Sequence, residues 1–391
     1  VLDAAVADAR LAWRHEGREY VAGQEPRSPA GGPCDVTVQV HRTRVFERVL
    51  AEGNLGLGEA YRDGDYDVVQ GSLEDLLGIL LRNRIEEKIG RDFKLALRVG
   101  LAGLRNRLRG RHANVREHYE LGNDFFATFL GKAMAYTCGY VVDPADADDL
   151  DRMQYNKFDR ICRKLELQPG QTLLDLGCGW GGFLIHAATH YGVTGTGYTV
   201  SPSQVEWGRA AVQKAGLAGR VRIELDDYGA SRGQYDRITT IGMMEHMPLP
   251  DFPRVFGTLA ARLKPGGLGL IHCITCAVAD NGPDGFTQKY ILPGSRQPKL
   301  SEMAAAMEER ALLILDVENI KTHYVATSKA WLEGFRRGRG GLPRERYSEP
   351  FLRLWEYNLA CWVAATRYAA GGLLHILFTN DRTRPTRLAR V

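Results

Sequence analysis

Leu173, Leu174 and Leu176 lead directly into Gly177, Gly179, Gly181 and Gly182, and few backbones accommodate that run, LLDLGCGWGG. The leucines read as a buried strand. The glycines permit a tight turn whose backbone approaches a ligand that a Cβ would hold away. A helix begins at Gly182 and presents its free N–H groups to the turn. Asp175 sits in the strand just before it. Strand, glycine turn and helix in this order form the ligand-binding end of a parallel α/β sheet.

The chain beyond Gly170 agrees. Apolar runs predict strands at 172–176, 195–199, 221–225, 236–241 and 268–274, with helix-period segments between them at 182–190 and 203–215. This alternation predicts a sheet covered by helices on both faces. Gly177, Gly179 and Gly182 also satisfy G-x-G-x-x-G, so a dinucleotide site has to be weighed. A nicotinamide cofactor wants an acid at the end of the second strand for its ribose. GYTVSPSQ, residues 197–204, offers Thr199, Ser201 and Gln204 instead, which counts against NAD.

A length of 391 residues suits two domains, and 44% hydrophobic with 25% charged residues is ordinary for a globular protein. The net charge of +4 names no partner. Seven scattered cysteines argue against a disulfide framework and for a reducing compartment. Cys273 and Cys276 form a lone Cys-x-x-Cys without the second pair a zinc site needs, so no metal is expected. No apolar run approaches the ~20 residues that cross a bilayer, and the expected location is cytoplasmic.

The first third is organised differently. Residues 23–34 are rich in Gly and Pro and read as a loop. From Leu73 to Arg111 the pattern is helical, with Leu97, Leu101, Leu104 and Leu108 on one face. Between Arg82 and Arg116 stand eleven Lys or Arg and three acids. That run reads either as a solvated face or as a basic surface attracted to anionic lipid. Nucleic acid fits less well, because no aromatic residues interleave with the later part of the run.

Seven segments together carry a resemblance. HYELGNDFF (118–126), YTCGY (136–140), LLDLGCGWGG, GYTVSPSQ, IGMMEH (241–246), LIHCI (270–274) and HYVATSKAW (323–331) occur in the order found in the cyclopropane-fatty-acyl-phospholipid synthases. NLGLGEAYRDGDY, residues 54–66, extends the resemblance into the amino-terminal part that marks the long bacterial type. The resemblance implies a class I methyltransferase fold, a Rossmann-like seven-stranded α/β sheet, behind a smaller, mainly helical amino-terminal domain. The expected division is 1–112 for lipid docking or dimerisation and 113–391 for S-adenosylmethionine-dependent methyl transfer.

By resemblance, Tyr136 and Thr137 reach the methionine end of S-adenosylmethionine, Thr137 standing where the family usually has Ser. Gly177 and Gly179 form the cofactor loop with Asp175 beside it, Thr199 and Gln204 lie near the ribose, and Asp227 lies near the adenine. The implied reaction joins the cofactor's methyl group to a cis double bond in an unsaturated phospholipid acyl chain. A carbocation is left behind, and ring closure requires a proton to leave the new methyl. In the family a bound bicarbonate takes that proton. Its holders carry over to Cys138, Glu245, His272, the backbone of Ile274, and Tyr324. An anion in an apolar cleft needs several such donors.

Singly, Cys138 reads as a small buried hydrophobe, His272 as a satisfied structural histidine and Glu245 as an acid at a helix start. Their joint appearance in the family's order favours the functional reading. Tyr140, Phe183 and Tyr290 are candidates to stabilise the cation through their π faces. Two departures stand out: GGLLHILF at 371–378 replaces a Gln-Trp pair of bacterial members, and Val141 stands where an aromatic is common. The expected partners are the unsaturated phospholipid, an anionic membrane surface on the cytoplasmic side and a second copy of the chain. Three alternatives stay open: a relative giving a methyl-branched or methylene product, a methyltransferase for soluble amines or hydroxyls, and a non-catalytic cofactor-binding membrane module.

Overall fold

The computed structural model describes residues 6, 9–23, 36–84, 121–276 and 284–384. The basic run therefore lies outside the described residues beyond Arg84. The helix predicted over 73–111 is seen as Leu73–Arg82, capped by Ser72, whose Oγ accepts from the Asp75 N–H at 3.1 Å.

The chain forms two compact units, and they do not follow a single cut at 112/113. One comprises residues 1–108, 283–293 and 331–369; the other comprises 109–282, 294–330 and 370–391. The first unit holds the expected helices and also a sheet that the sequence pattern did not disclose. Its strands β1 (Leu11–His15), β2 (Arg18–Ala22), β3 (Val36–Val40) and β4 (Tyr66–Gln70) are arranged β2-β1-β3-β4. Glu16 and Gly17, both at positive φ, close the β1–β2 hairpin with the two-residue turn that suits the strand twist. The Glu349–Tyr368 helix packs on the helices Asn54–Arg62 and Leu73–Arg82, which explains why a distant segment belongs to this unit. Arg336 bridges Glu74 and Glu356 at 2.9 Å each, and Arg353 donates to the Tyr61 and Tyr66 carbonyls.

The second unit contains seven strands: β5 (Thr172–Leu176), β6 (Thr194–Thr199), β7 (Val221–Leu225), β8 (Tyr235–Ile241), β9 (Leu263–Cys276), β10 (Leu313–Asn319) and β11 (Gly371–Thr379). Their order is β10-β11-β9-β8-β5-β6-β7. β5 to β9 pair in parallel, and β11 runs antiparallel to both β9 and β10. This is the seven-stranded arrangement the resemblance implies. The chain reverses direction across the sheet between β5 and β8, the switch point where open α/β sheets bind ligands at their carboxyl ends. Helices Leu150–Lys164, Gly182–Tyr191 and Pro202–Lys214 pack around one apolar cluster with Leu173, Val221 and Leu270. A second cluster around Phe252, Phe256, Ile271 and Phe378 packs the Phe252–Arg262 helix.

Candidate active site

A cavity of about 140 Å3 opens at the carboxyl ends of β5, β6 and β8. Tyr136, Thr137, Asp175, Gly177, Gly179, Thr199, Gln204 and Asp227 all line it. Gly177, Gly179 and Gly181 have φ values of 76, 56 and 80°, a region L side chains rarely adopt, so this turn depends on glycine. Trp180 projects from the turn into an aromatic group with Phe126, and its Nε1 donates to Asn123 Oδ1 at 2.7 Å. Asn123 Nδ2 in turn donates to the Ser203 carbonyl at 2.9 Å, so the LGNDFF segment braces both the glycine turn and the helix after β6. Thr199 Oγ1 donates to Gln204 Oε1 at 2.6 Å, which frees the Gln204 amide to donate. Asp227 accepts from the Gly229 N–H at 3.0 Å.

Lys157 belongs to this wall without any sequence motif to mark it. Its side chain is fully buried in the cavity wall, and Nζ donates to Thr137 Oγ1 at 2.9 Å. No carboxylate lies within ion-pair distance of it among the described residues. Burial pushes the ammonium down to about 7, and nearby Cys138 and Asp175 only partly restore it. Asp175 itself is pushed up to about 7 by burial, against a hydrogen bond from Thr239 Oγ1 at 2.8 Å. A buried cation and a buried acid thus face one cavity without pairing directly.

None of the five residues assigned to the anion lines the cavity itself, but three of them are tied to its wall. Cys138 follows Thr137, His272 pairs with Ile241 across β8 and β9, and Glu245 lies between the lining residues Met243 and His246. Gly242, at φ 75°, lets Thr137 approach; a Cβ there would stand 2.7 Å from Thr137 Cγ2. Glu245 and Ile274 are in direct contact: Glu245 Oε1 accepts from the Ile274 N–H at 2.6 Å. Glu245 Oε2 is buried and accepts no hydrogen bond. Burial pushes this carboxyl up to about 7, opposed chiefly by the Ile274 N–H.

Cys138 is buried, its thiol pushed up to about 12 by burial, so it stays protonated and donates to the Gly139 carbonyl at 3.0 Å. Tyr324 is buried on the helix Thr322–Gly338. One turn on, Thr327 Oγ1 accepts from the Gly139 N–H at 3.0 Å, while His323 accepts from the Val141 N–H and stacks on Tyr140 at 3.9 Å. His323 and Thr327, spaced i, i+4, clamp YTCGY against this helix, a role sequence reasoning did not assign. Phe183 lines the cavity, but Tyr290 belongs to the other unit, where its hydroxyl donates to Glu59 at 2.6 Å.

The family model for mycolic acid cyclopropane synthetase matches residues 106–373. The chain is 34% identical to the cyclopropane-fatty-acyl-phospholipid synthase of Escherichia coli strain K12, covering 95% of this chain and 96% of that protein. It is 31% identical to the tuberculostearic acid methyltransferase of Mycobacterium tuberculosis, over 86% of this chain and 80% of the relative. A mycolic acid cyclopropane synthase solved with SAH and CTAB superposes with a TM-score of 0.64 at 27% identity, covering 68% of this chain and 97% of that one. With that match across well over half its length, the chain belongs to the mycolic acid cyclopropane synthetase family.

Proposed function

We propose that this protein transfers a methylene group from S-adenosylmethionine to the cis double bond of an unsaturated phospholipid acyl chain, forming a cyclopropane. The observation that carries the reading is the 34% identity running through nearly the full length of both this chain and the Escherichia coli synthase. S-adenosylmethionine supplies the electrophilic methyl group. The glycine turn, Thr199 with Gln204, and Asp227 suit its nucleoside. Lys157 is assigned to the carboxylate of its methionine moiety, because this buried ammonium needs an anionic partner.

The residues around Glu245 fit a small oxyanion. A buried carboxyl oxygen without a hydrogen bond, on a group with pKa about 7, can hold a proton at neutral pH and share it. The His272 imidazole is neutral, so it adds a donor without adding charge; the neutral Cys138 thiol gives its one proton to the Gly139 carbonyl and contributes no charge either. Bicarbonate bound there is proposed as the base that takes the proton released on ring closure. The amine and hydroxyl methyltransferase alternatives leave this apolar, donor-lined surround without a role.

The same alkylation without ring closure is the second reading, favoured by the similarity to the tuberculostearic acid methyltransferase. Mass spectrometry of lipids from cells expressing the protein tests the proposal. Acyl chains one methylene heavier, with one double bond fewer, support it; unaltered lipids contradict it.

The protein is further proposed to work as a homodimer on the inner face of the membrane, with the amino-terminal unit docking on anionic lipid. Phe46 and Leu50 are exposed one turn apart on the helix Arg44–Glu52, beside exposed Arg42 and Arg44, which both pair with buried Asp65. No helix among the described residues is long and apolar enough to cross a membrane. Each basic side chain near an anionic surface contributes about 1 kcal/mol, and salt screens it. Vesicle sedimentation is expected to show binding that rises with anionic lipid, falls with salt and weakens in a Phe46→Ser, Leu50→Ser double variant. Equal binding to neutral vesicles at high salt contradicts this.

A further inference from the structure

β9 and β11 run antiparallel in a register that sets His272 directly opposite His375. Side chains so opposed share one face of the sheet with Cβ atoms about 5 Å apart. The rings meet there: His272 Nδ1 lies 2.9 Å from His375 Nε2, and the centroids are 5.0 Å apart. Both rings are buried. Burial pushes His272 down to about 3 and His375 well below the usual range, with neighbouring cations acting in the same direction, so both stay neutral.

A hydrogen bond between two neutral imidazoles has one donor, which leaves two proton arrangements. If His272 donates from Nδ1, then His375 carries its only proton on Nδ1, where it is buried and has no hydrogen-bond partner. If His375 donates from Nε2, its buried Nδ1 is merely an unfilled acceptor, and His272 carries its proton on Nε2. Orphaned buried donors are rarer than under-satisfied acceptors, so the second arrangement is favoured.

We propose that His375 is a positioning residue that locks His272 in the Nε2–H tautomer, so that the outer edge of His272 donates a hydrogen bond. The inference rests on the reading of His272 as a holder of the anion. An anion requires a donor at that edge, and the opposite tautomer would offer it a lone pair. Position 375 lies in GGLLHILF, one of the two departures from the family noted in the sequence.

Long-range proton–nitrogen correlation spectra of the full-length chain labelled with [15N]histidine test this, with His272 assigned by loss of its signals in a His272→Gln variant. In the wild type, His272 is expected to be protonated on Nε2 and bare on Nδ1. His375→Gln keeps a donor toward Nδ1 and is expected to keep both the tautomer and the turnover. His375→Leu is expected to give a mixed tautomer and about ten- to a hundredfold slower turnover, with an unchanged cofactor dissociation constant. A wild-type His272 protonated on Nδ1, or a Leu variant with wild-type turnover, overturns the inference. Should the Leu variant not fold, the wild-type tautomer decides alone. Because that tautomer is read without substrate, a failure to make cyclopropane lipid would count against the proposed reaction and not against this pairing.

Discussion

Replacing Glu245 by Gln is expected to slow product formation about ten- to a hundredfold while leaving the cofactor's dissociation constant unchanged. The variant keeps an oxygen to accept from the Ile274 N–H, so the 2.6 Å contact that seats the side chain survives. What it loses is the second oxygen, buried and without a hydrogen bond, and the ability to exchange a proton near pH 7. Stability should move the other way. The folded pKa of about 7 lies above the ordinary value of 4.5, so the unfolded chain gives up this proton first. Folding stability is therefore lost as pH rises from 4.5 through about 7, by an amount on the order of 3 kcal/mol. The Gln variant lacks that slope and should be the more stable protein above pH 7. Thermal denaturation across pH together with steady-state turnover checks both. A variant that is slower and also less stable at pH 8 would mean that Glu245 serves the fold.

Lys157→Met is expected to weaken S-adenosylmethionine binding about ten- to a hundredfold, the value of one charge-assisted hydrogen bond. Isothermal calorimetry reads this directly. The wild type should bind S-adenosylmethionine and show no heat with NAD, since no acid closes β6. The affinity should fall above pH 7 as the ammonium, pushed down to about 7, loses its proton. Asp175 titrates in the same range, so the profile belongs to the pair, and the Met variant should lack the fall. The cofactor-free Met variant should also melt a few degrees higher at pH 7 and below, where the wild type keeps in its interior a charge that no carboxylate neutralises. Unchanged affinity in the variant would remove Lys157 from the cofactor site.

The methyltransferase unit was legible because its signals are local. The strands predicted at 172–176 and 221–225 have the observed bounds, and the others differ only at their ends. The glycine turn announces itself because positive φ demands particular residues. Lys157 had no such signal: it sits mid-helix in QYNKFDR, and only the tertiary fold turns it into a cavity instead of into solvent. Lys164 lies on the same helix and is equally buried, yet it is paired with Glu318 at 2.7 Å on β10, so burial alone would not have separated the two. The β1–β4 sheet was hidden because its strands are only five residues long and three of them lack clean alternation; VTVQV at 36–40 alternates strictly but is too short to stand out alone. The discontinuous amino-terminal unit depends on packing between residues nearly 300 positions apart, such as Arg353 on Tyr61, and sequence periodicity carries none of that. The departure at GGLLHILF was visible, but its meaning required the register that pairs His375 with His272.

The product formed from S-adenosylmethionine bearing a trideuterated methyl group, presented with vesicles of a cis-unsaturated phospholipid, tests the central claim most directly. Methyl transfer makes the new carbon–carbon bond and breaks the carbon–sulfur bond; ring closure then expels one hydrogen from the transferred carbon. The expected product is an acyl chain that keeps two of the three deuteriums, has lost its olefinic signals and shows cyclopropyl carbons by NMR. Retention of all three deuteriums, or olefinic signals in the alkylated chain, would contradict ring closure and favour a methyl-branched or methylene product.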